Sequence, residues 1–310
     1  MTRFNVKYGS DYNTDLENMI KSLVPKVDVR RPLGTKLHVR NAGFCSRLNV
    51  FNSFLETTFA PTLSGKFYVE SGNCIEQIYV SLLDENNKVC VSDLKITDNK
   101  SYLYNKHNLN QQKLLLDNSE YLGYSGVVDL IMYDHNDELT IVDVKTVGEF
   151  PDKDSLNYVR QVQMYSAILG INSAILLYQS RNIRDKNDYQ NPLMMKVSKI
   201  DTSEETLTRV VEIAFLSKLS IENHLLPSIA FNFRKTVSCK NCDFSNFCWE
   251  NNSESLKIPL IQDLDLEVQL MEQSQILAKK FMEQRKERRL LFDKKFVNPE
   301  PSVITVGWKV

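Results

Sequence analysis

The chain has 310 residues, of which 42% are hydrophobic and 25% are charged, as in an ordinary soluble globular protein with a sizeable core. Its formal net charge of −1 excludes a general electrostatic attraction to nucleic acid, so such a surface would require local clusters of basic residues. No run of about 18 apolar residues is present, which argues against a membrane-spanning helix. Residues 1–7 lack the apolar core of a signal peptide. The expected location is therefore the cytoplasm, or the host cytoplasm if a phage encodes the chain.

The first part of the chain contains a basic segment and two helical patterns. Residues 26–47 are rich in Lys and Arg, which is typical either of a solvated face or of a surface that contacts phosphates. Apolar residues recur at helical spacing after Ser46 and predict a helix that starts there. A second pattern from Gly72 predicts another helix, with Glu76 on the flank of its apolar face. Residues 84–120 are polar and suggest no more than a short strand near their beginning.

Two carboxylates and a lysine occupy a predicted β-hairpin in the middle of the chain. Residues 127–133 and 139–144 are β-branched and apolar, and a polar turn separates them. Alternation places Asp129 among the apolar residues of one strand face, and it places Asp143 and Lys145 together on one face of the second strand. An acid at a core-facing position is costly without a partner, so the two acids suggest a shared cation. The alternative is a pair of surface acids at strand ends.

The patterns after the hairpin indicate an α/β arrangement. A helix is expected over residues 155–169, and its Gln161 and Tyr165 point from the same side because they are four residues apart. The sequence then predicts two further strands and a helix, at residues 174–178, 193–197 and 204–224.

Six cysteines in a chain expected to be in a reducing compartment favour metal binding, catalysis or packing over disulfides. Three of them, Cys239, Cys242 and Cys248, have the spacing Cys-x2-Cys-x5-Cys, which is typical of a metal site. A four-coordinate site needs one more ligand. The residues alone leave three candidates for it, namely Cys45, Cys74 and Cys90.

Three short motifs carry a resemblance to a known family. They are Gly126-x-x-Asp129, Asp143-x-Lys145 and Gln161-x3-Tyr165. Their order and context resemble the PD-(D/E)XK nuclease superfamily, and most closely its RecB-like branch. With the cysteines, the pattern resembles the iron–sulfur nucleases of that branch, which include the CRISPR-associated RecB-like exonucleases and the nuclease domain of AddB-type helicase–nucleases. The resemblance implies a restriction-endonuclease-like α/β core, in which helices flank a mixed central sheet.

The resemblance assigns a role to the residues of the hairpin. Asp129 and Asp143 would hold a divalent metal ion, Mg²⁺ or Mn²⁺, together with the carbonyl of Val144. Lys145 would orient or activate the attacking water and steady developing negative charge. The chemistry agrees, since phosphodiester hydrolysis needs a nucleophilic water and relief of charge on the phosphoryl oxygens, and a divalent cation supplies both.

Helical residues complete the expected site. By the same resemblance, Gln161 and Tyr165 would position the lysine and the DNA. Family members often carry a histidine four residues after a glycine on the helix before the hairpin, where this chain has Glu76 after Gly72. Because a carboxylate is an oxygen ligand suited to Mg²⁺ or Mn²⁺, we expect Glu76 to be a third metal ligand.

The resemblance also selects the fourth cysteine. It implies that one [4Fe–4S] cluster, with zinc as the alternative occupant, is held by Cys45, Cys239, Cys242 and Cys248. Such a cluster would join two distant parts of the chain and so restrain the unfolded state.

The expected domain organisation follows from the position of the cysteines. Residues 1–255 would form the RecB-like nuclease domain with its cysteine clasp, and residues 256–310 would form a basic helical C-terminal extension. The Lys- and Arg-rich part of that extension, 279–295, is either a solvated helix face or a surface for nucleic acid or a partner.

The expected activity is that of a metal-dependent deoxyribonuclease, as an exonuclease on single-stranded DNA ends rather than an endonuclease. Expected roles are DNA recombination, repair, phage DNA metabolism or CRISPR adaptation. The expected partner is DNA, with a protein partner or a homo-oligomer as a further possibility and no membrane. The alternative is a nucleic-acid-binding or assembly protein that keeps a nuclease fold without relying on cleavage.

Overall fold

A computed structural model of the chain describes residues 28–30, 37–41, 45–59, 63–86, 88–97, 102–104, 124–181, 195–228 and 260–297, with the single residues Asn18, Cys239, Cys242, Phe244, Ser245 and Cys248. The strands are β1 Asp28–Arg30, β2 Leu37–His38, β3 Thr57–Phe59, β4 Val89–Thr97, β5 Tyr102–Tyr104, β6 Tyr124–Tyr133, β7 Leu139–Val147, β8 Ser173–Ser180 and β9 Met195–Lys199. The α-helices are α1 Ser46–Phe54, α2 Leu63–Asp84, α3 Leu156–Leu169, α4 Glu204–Glu222, α5 Leu264–Glu283 and α6 Arg285–Phe292. A 3-10 helix, Val39–Asn41, and a π-helix, Asp293–Val297, flank these elements.

One mixed sheet forms the centre of the molecule. Its strands follow the order β5-β4-β6-β7-β8-β9, and β2 pairs with β6 off this path. The β7–β8 and β2–β6 pairs are parallel, and the other pairs are antiparallel. Strands β1 and β3 form a separate antiparallel pair. The predicted α/β architecture is confirmed, and the arrangement is consistent with a restriction-endonuclease-like core.

Helices cover both faces of the sheet. Neighbouring residues of a strand point to opposite faces, so their contacts show which helix lies on which face. Ile141 of β7 belongs to the large core that contains Val162 and Tyr165 of α3. The next residue, Val142, packs instead in a smaller cluster with Tyr79 of α2. Helices α2 and α3 therefore lie on opposite faces. No described helix is long and apolar enough to cross a membrane.

The predicted hairpin of β6 and β7 is confirmed. The strands pair antiparallel, and the side chain of Asp134 accepts hydrogen bonds from the amides of Asn136 and Glu138 in the turn, at 2.8 and 3.0 Å. Asp137 completes the turn with a φ of 59°, in the left-handed region that Asp and Asn tolerate.

Two elements differ from their predictions. Strand β4 has nine residues and pairs along much of β6, although its polar surroundings predicted only a short strand. Helix α2 begins at Leu63, nine residues before the predicted start at Gly72. For β4, pairing with the distant strand β6 extends the element beyond its local signal.

The C-terminal helices pack into the same core as the sheet. Ala278 and Phe281 of α5 and Phe292 of α6 are buried members of that core. Arg288 of α6 is also buried and donates hydrogen bonds of 3.0 Å to the carbonyls of Ala167 and Ile168 at the end of α3. A helix end leaves its last carbonyls without intrahelical partners, so this arginine caps α3. For Arg288, the predicted solvated face is therefore wrong.

Helix α3 ends where α6 crosses it. Gly170 has a φ of 72°, and its amide donates to the Ser166 carbonyl. A Cβ atom at Gly170 would lie 2.6 Å from the carbonyl oxygen of Arg285, so glycine is required by its backbone conformation and by the close approach of α6. The boundary predicted between residues 255 and 256 lies outside the described residues and stays a prediction.

Candidate active site

Asp129 and Asp143 lie side by side at the open end of the hairpin. The ladder pairs Leu130 with Val142, and one further step brings the two aspartates opposite each other. The amide of Val144 donates a hydrogen bond of 2.9 Å to Asp129 Oδ2. The structure therefore brings together the two acids whose meeting the alternation of side chains predicted.

Lys145 forms an enclosed ion pair with one of these acids. Its Nζ atom lies 2.6 Å from Asp143 Oδ2, and only 1% of the Asp143 side chain is exposed. The same Nζ atom lies 4.8 Å from the ring centroid of Tyr158 on α3, within the range of a cation–π contact. Sequence reasoning missed Tyr158, although its position three residues before Gln161 places both on one side of α3 and was a usable signal.

The other carboxylate oxygen of Asp143, Oδ1, has no hydrogen-bond partner among the described residues. A buried carboxylate oxygen in this state is costly, because desolvation is not offset by a hydrogen bond. The cost disappears when a cation or a donor reaches the oxygen. Asp143 Oδ1 is therefore a buried acceptor that the described protein groups leave without a donor.

The charges of the site depend on one another. Burial raises the pKa of Asp129 well above its usual range, and the carboxylates of Asp143 and Glu76 add to the rise. Burial also raises the pKa of Asp143, and the neighbouring Lys145 opposes the rise. Burial alone would lower the pKa of Lys145, but the carboxylates of Asp143 and Asp129 reverse the effect and raise it. The lysine therefore stays charged at neutral pH, while the crowded acids favour a further cation.

Glu76 lies on helix α2 near Asp129. One turn before it, Gly72 packs so closely on β7 that an added Cβ would lie 3.3 Å from Thr146 Oγ1. This close packing brings the helix near the strand that carries Asp143. The Glu76 carboxylate is near enough to raise the pKa of Asp129. Sequence reasoning predicted that Glu76 joins the site but did not identify Thr146 as the residue of β7 against which Gly72 packs.

Tyr165 and Gln161 brace the backbone just before Asp129. The hydroxyl of Tyr165 donates a hydrogen bond of 2.6 Å to the carbonyl of Val127. Gln161 Nε2 in turn lies 3.4 Å from the Tyr165 hydroxyl, to which it donates. A Cβ at Gly126 would lie 2.9 Å from that hydroxyl oxygen, so only glycine leaves room for the tyrosine. Gly126 of the first motif and Tyr165 of the third motif therefore pack directly against each other.

The carboxylate site fits a divalent cation by its chemistry. Among the residues that the structure describes, no three His, Cys, Asp or Glu side chains are already arranged to hold a metal ion. The expected ligands of this site are nevertheless carboxylates, whose oxygens suit Mg²⁺ or Mn²⁺. The groups that would hold the ion are the carboxylates of Glu76, Asp129 and Asp143 and the carbonyl of Val144.

The structure gathers four of the six cysteines at the start of α1. Burial raises the pKa of the Cys45 thiol to about 11, and the nearby thiols of Cys248, Cys242 and Cys239 add to the rise. Cys45 is the residue that precedes α1, and Phe51 of that helix contacts the ring of Phe244 with centroids 5.4 Å apart. Thiol ligands suit an iron–sulfur cluster or zinc, so this donor set is chemically suited to either.

The other two cysteines lie apart from this group. Cys74 is exposed on α2. Cys90 lies on β4, where burial raises the pKa of its thiol and a hydrogen bond with Tyr133 opposes the rise. Of the three candidates that the spacing left open, Cys45 is the one that the structure places beside Cys239, Cys242 and Cys248.

Comparison with known families agrees with the geometry of the hairpin. The family model of the PD-(D/E)XK nuclease superfamily matches residues 92–249, just over half of the chain. The chain belongs to the PD-(D/E)XK nuclease superfamily. The region matched to this nuclease superfamily includes Asp129, Asp143, Lys145, Gln161 and Tyr165.

Other comparisons add little to the superfamily assignment. A solved structure described as "Crystal structure of SSO0001" is similar at 16% sequence identity and a TM-score of 0.37, covering 77% of this chain and 96% of that one. A likeness of this strength carries no argument about fold or activity. No curated protein matches the chain.

Proposed function

We propose that this superfamily member is a metal-dependent deoxyribonuclease whose catalytic group consists of Asp129, Asp143 and Lys145. One observation carries the proposal: a fully buried carboxylate, Asp143, keeps one oxygen without a partner and pairs the other with a lysine. A site that had lost its catalytic activity would have no reason to keep this energetically costly arrangement. A bound Mg²⁺ or Mn²⁺ would supply a nucleophilic water and offset charge on the phosphate.

The residues of the chain divide the remaining work. Two contacts hold the carboxylates in place: the Val144 amide binds Asp129, and the Lys145 ammonium binds Asp143. The lysine stays an ammonium and can donate a hydrogen bond to the attacking water or to a phosphoryl oxygen as charge develops. The Tyr158 ring contacts the same ammonium by a cation–π interaction. Glu76 provides a third carboxylate.

Gln161 and Tyr165 act as positioning residues in this proposal. The Tyr165 hydroxyl holds the Val127 carbonyl, two residues before Asp129. Displacement by about 1 Å is enough to reduce an enzymatic rate strongly, so a fixed backbone here matters for catalysis. Gln161 steadies the hydroxyl that makes the contact.

The finer activity is proposed from the resemblance to RecB-like iron–sulfur nucleases. It favours exonuclease action on single-stranded DNA ends, in recombination, repair, phage DNA metabolism or CRISPR adaptation. It also favours a [4Fe–4S] cluster over zinc in the group of Cys45, Cys239, Cys242 and Cys248. Such a cluster would fasten helix α1 to a segment nearly 200 residues later, and closure of a long loop restrains the unfolded chain most.

DNA labelled separately at its 5′ and 3′ ends tests the activity. Incubation with Mn²⁺ should release label stepwise from one end of a single strand, and EDTA should stop the release. Internal fragments at early times would instead indicate an endonuclease. Binding of DNA with no metal-dependent product would overturn the proposal and favour a binding or assembly protein.

A further inference from the structure

One stripe of helix α2 faces the carboxyl end of strand β7. Glu76 reaches the carboxylate site, and Gly72 packs against Thr146 one turn earlier. Tyr68 comes one further turn towards the start of the helix, so it lies on the same side. The helical rise places it roughly 12 Å from Glu76 along the axis. One side of α2 therefore carries Glu76, Gly72 and Tyr68, and of these three Tyr68 lies farthest from the carboxylates.

Arg181 contacts Tyr68 at the C-terminal end of β8. Its guanidinium carbon lies 4.1 Å from the centroid of the Tyr68 ring, a close cation–π contact. Arg181 directly follows β8, and its amide donates a hydrogen bond of 2.8 Å to the carbonyl of Val147, the last residue of β7. The backbone of Arg181 is thus anchored to Val147, which lies two residues beyond Lys145 on the neighbouring strand.

Two aromatic rings stand open to solvent at this place. Phe67 is 70% exposed and Tyr68 is 51% exposed. Their ring centroids are 6.4 Å apart, with an angle of 65° between the planes. Large aromatic side chains usually gain free energy by burial, so adjacent exposed rings beside an anchored arginine indicate a binding surface.

We propose that Phe67, Tyr68 and Arg181 form a subsite that stacks the unpaired bases of single-stranded DNA beside the catalytic centre. Aromatic faces and a guanidinium plane bind bases of any sequence, and the charge of the arginine attracts the phosphates. The bases of a duplex are already stacked on each other, so the subsite selects an unpaired strand. This inference rests on the proposed nuclease function, which identifies DNA as the ligand of the subsite.

A binding assay tests the subsite without relying on cleavage. The affinity of the full chain for a fluorescent single-stranded oligonucleotide is measured by anisotropy in EDTA. Tyr68→Ala should raise the Kd about tenfold, the usual effect of losing one stacking ring. Tyr68→Phe, which keeps the ring, should retain wild-type affinity. Ile78→Ala is the matched control, because Ile78 is 56% exposed on another side of the same helix.

Three further measurements make the result specific. An oligonucleotide of abasic residues should bind wild type and Tyr68→Ala equally, because it has phosphates but no bases. Phe67→Ala, at the more exposed ring, should also weaken binding to the normal oligonucleotide, and it provides the test if Tyr68→Ala does not fold. Arg181→Lys should weaken binding as well, because lysine keeps the charge but not the plane.

The outcomes separate this inference from the proposed activity. Unchanged affinity of both aromatic variants, or an equal loss in Ile78→Ala or on the abasic strand, would overturn it. Loss of self-association in Tyr68→Ala with unchanged DNA affinity would also overturn it and assign the rings to a protein contact. A wild-type protein that shows the expected stacking but no metal-dependent cleavage would retain the subsite and refute only the nuclease activity.

Discussion

Lys145 Nζ lies 2.6 Å from Asp143 Oδ2, while the other oxygen of the same carboxylate has no partner among the described residues. One oxygen of this buried carboxylate thus faces the Lys145 ammonium, and the other has no protein donor. The pairing explains how Asp143 can be ionised in a buried site, because the lysine opposes the effect of burial on its pKa. It also places a hydrogen-bond donor next to the position where a metal ion would bind.

Lys145→Ala should therefore affect both activity and stability. Cleavage should fall at least about 100-fold through loss of a preorganised donor. The free energy of unfolding should fall by about 3 kcal/mol, because a buried acid loses its partner. Rates on labelled DNA and denaturant unfolding measure the two effects. Lys88→Ala is the control, since Lys88 forms an exposed pair with Asp137 on the same hairpin, and it should change stability by less than about 1 kcal/mol.

The stabilisation that Mn²⁺ confers should depend on pH. Because the pKa of Asp129 is raised, the metal-free folded state binds this proton more tightly than the unfolded chain does. The stability contribution of Asp129 then falls as the pH rises from the usual aspartate range through the raised pKa. A divalent cation removes this penalty by favouring the ionised acids.

Thermal unfolding checks the sign of this dependence. Mn²⁺ should raise the melting temperature more at about pH 7.5 than at about pH 5, because protons compete with the metal at the lower pH. Asp129→Asn should reduce the difference between the two conditions. An equal or larger shift at the lower pH would contradict the assigned charges.

Gly126→Ala should disturb the contact that braces β6. The new Cβ would lie 2.9 Å from the Tyr165 hydroxyl oxygen and 3.0 Å from Val39 Cβ, and we expect a loss of about 1–3 kcal/mol of stability from overpacking. Cleavage should fall as well, because the Val127 carbonyl loses its donor. In a Tyr165→Phe background the same substitution should cost less, since the nearest atom is gone. Additive costs in a double-mutant cycle would show that the two residues do not interact.

Cys45→Ala should abolish binding of the iron–sulfur cluster that we propose for the cysteine group. We expect loss of bound iron and acid-labile sulfide and a lower melting temperature, since the clasp between α1 and the later cysteines would be open. Cys74→Ala, at an exposed position outside the group, should retain both. Anaerobic purification followed by metal analysis makes the comparison. Zinc without iron in the wild-type protein would refute the iron–sulfur assignment.

The hairpin and its site could be predicted because their signals are local. Alternating apolar residues and a polar turn define β6 and β7, and the positions of Asp129 and Asp143 follow from a period of two. The spacing of Gln161 and Tyr165 likewise follows from one helical turn. Side-chain chemistry then made a shared cation the simplest explanation of two buried acids.

The missed features depend on contacts between distant segments. Strand β4 is extended by pairing with β6. The spacing of Tyr158 and Gln161 indicated only a shared side of α3, and the contact of Tyr158 with Lys145 depends on how α3 packs on β7. The charge pattern predicted that the C-terminal basic run is either a solvated face or a surface for nucleic acid or a partner, but its Arg288 is buried and caps the end of α3. A capping partner more than a hundred residues away leaves no trace in the local pattern.

The cleavage rate of Asp143→Asn tests the central assignment most directly. Asparagine keeps the shape of the side chain but removes the charge that binds both Lys145 and a metal ion, so Mn²⁺-dependent degradation of single-stranded DNA should fall at least about 100-fold. Asp137→Asn changes an acid of the same hairpin whose side chain is 82% exposed, and it should cleave at the wild-type rate. Wild-type cleavage by Asp143→Asn would contradict the assignment of the active site.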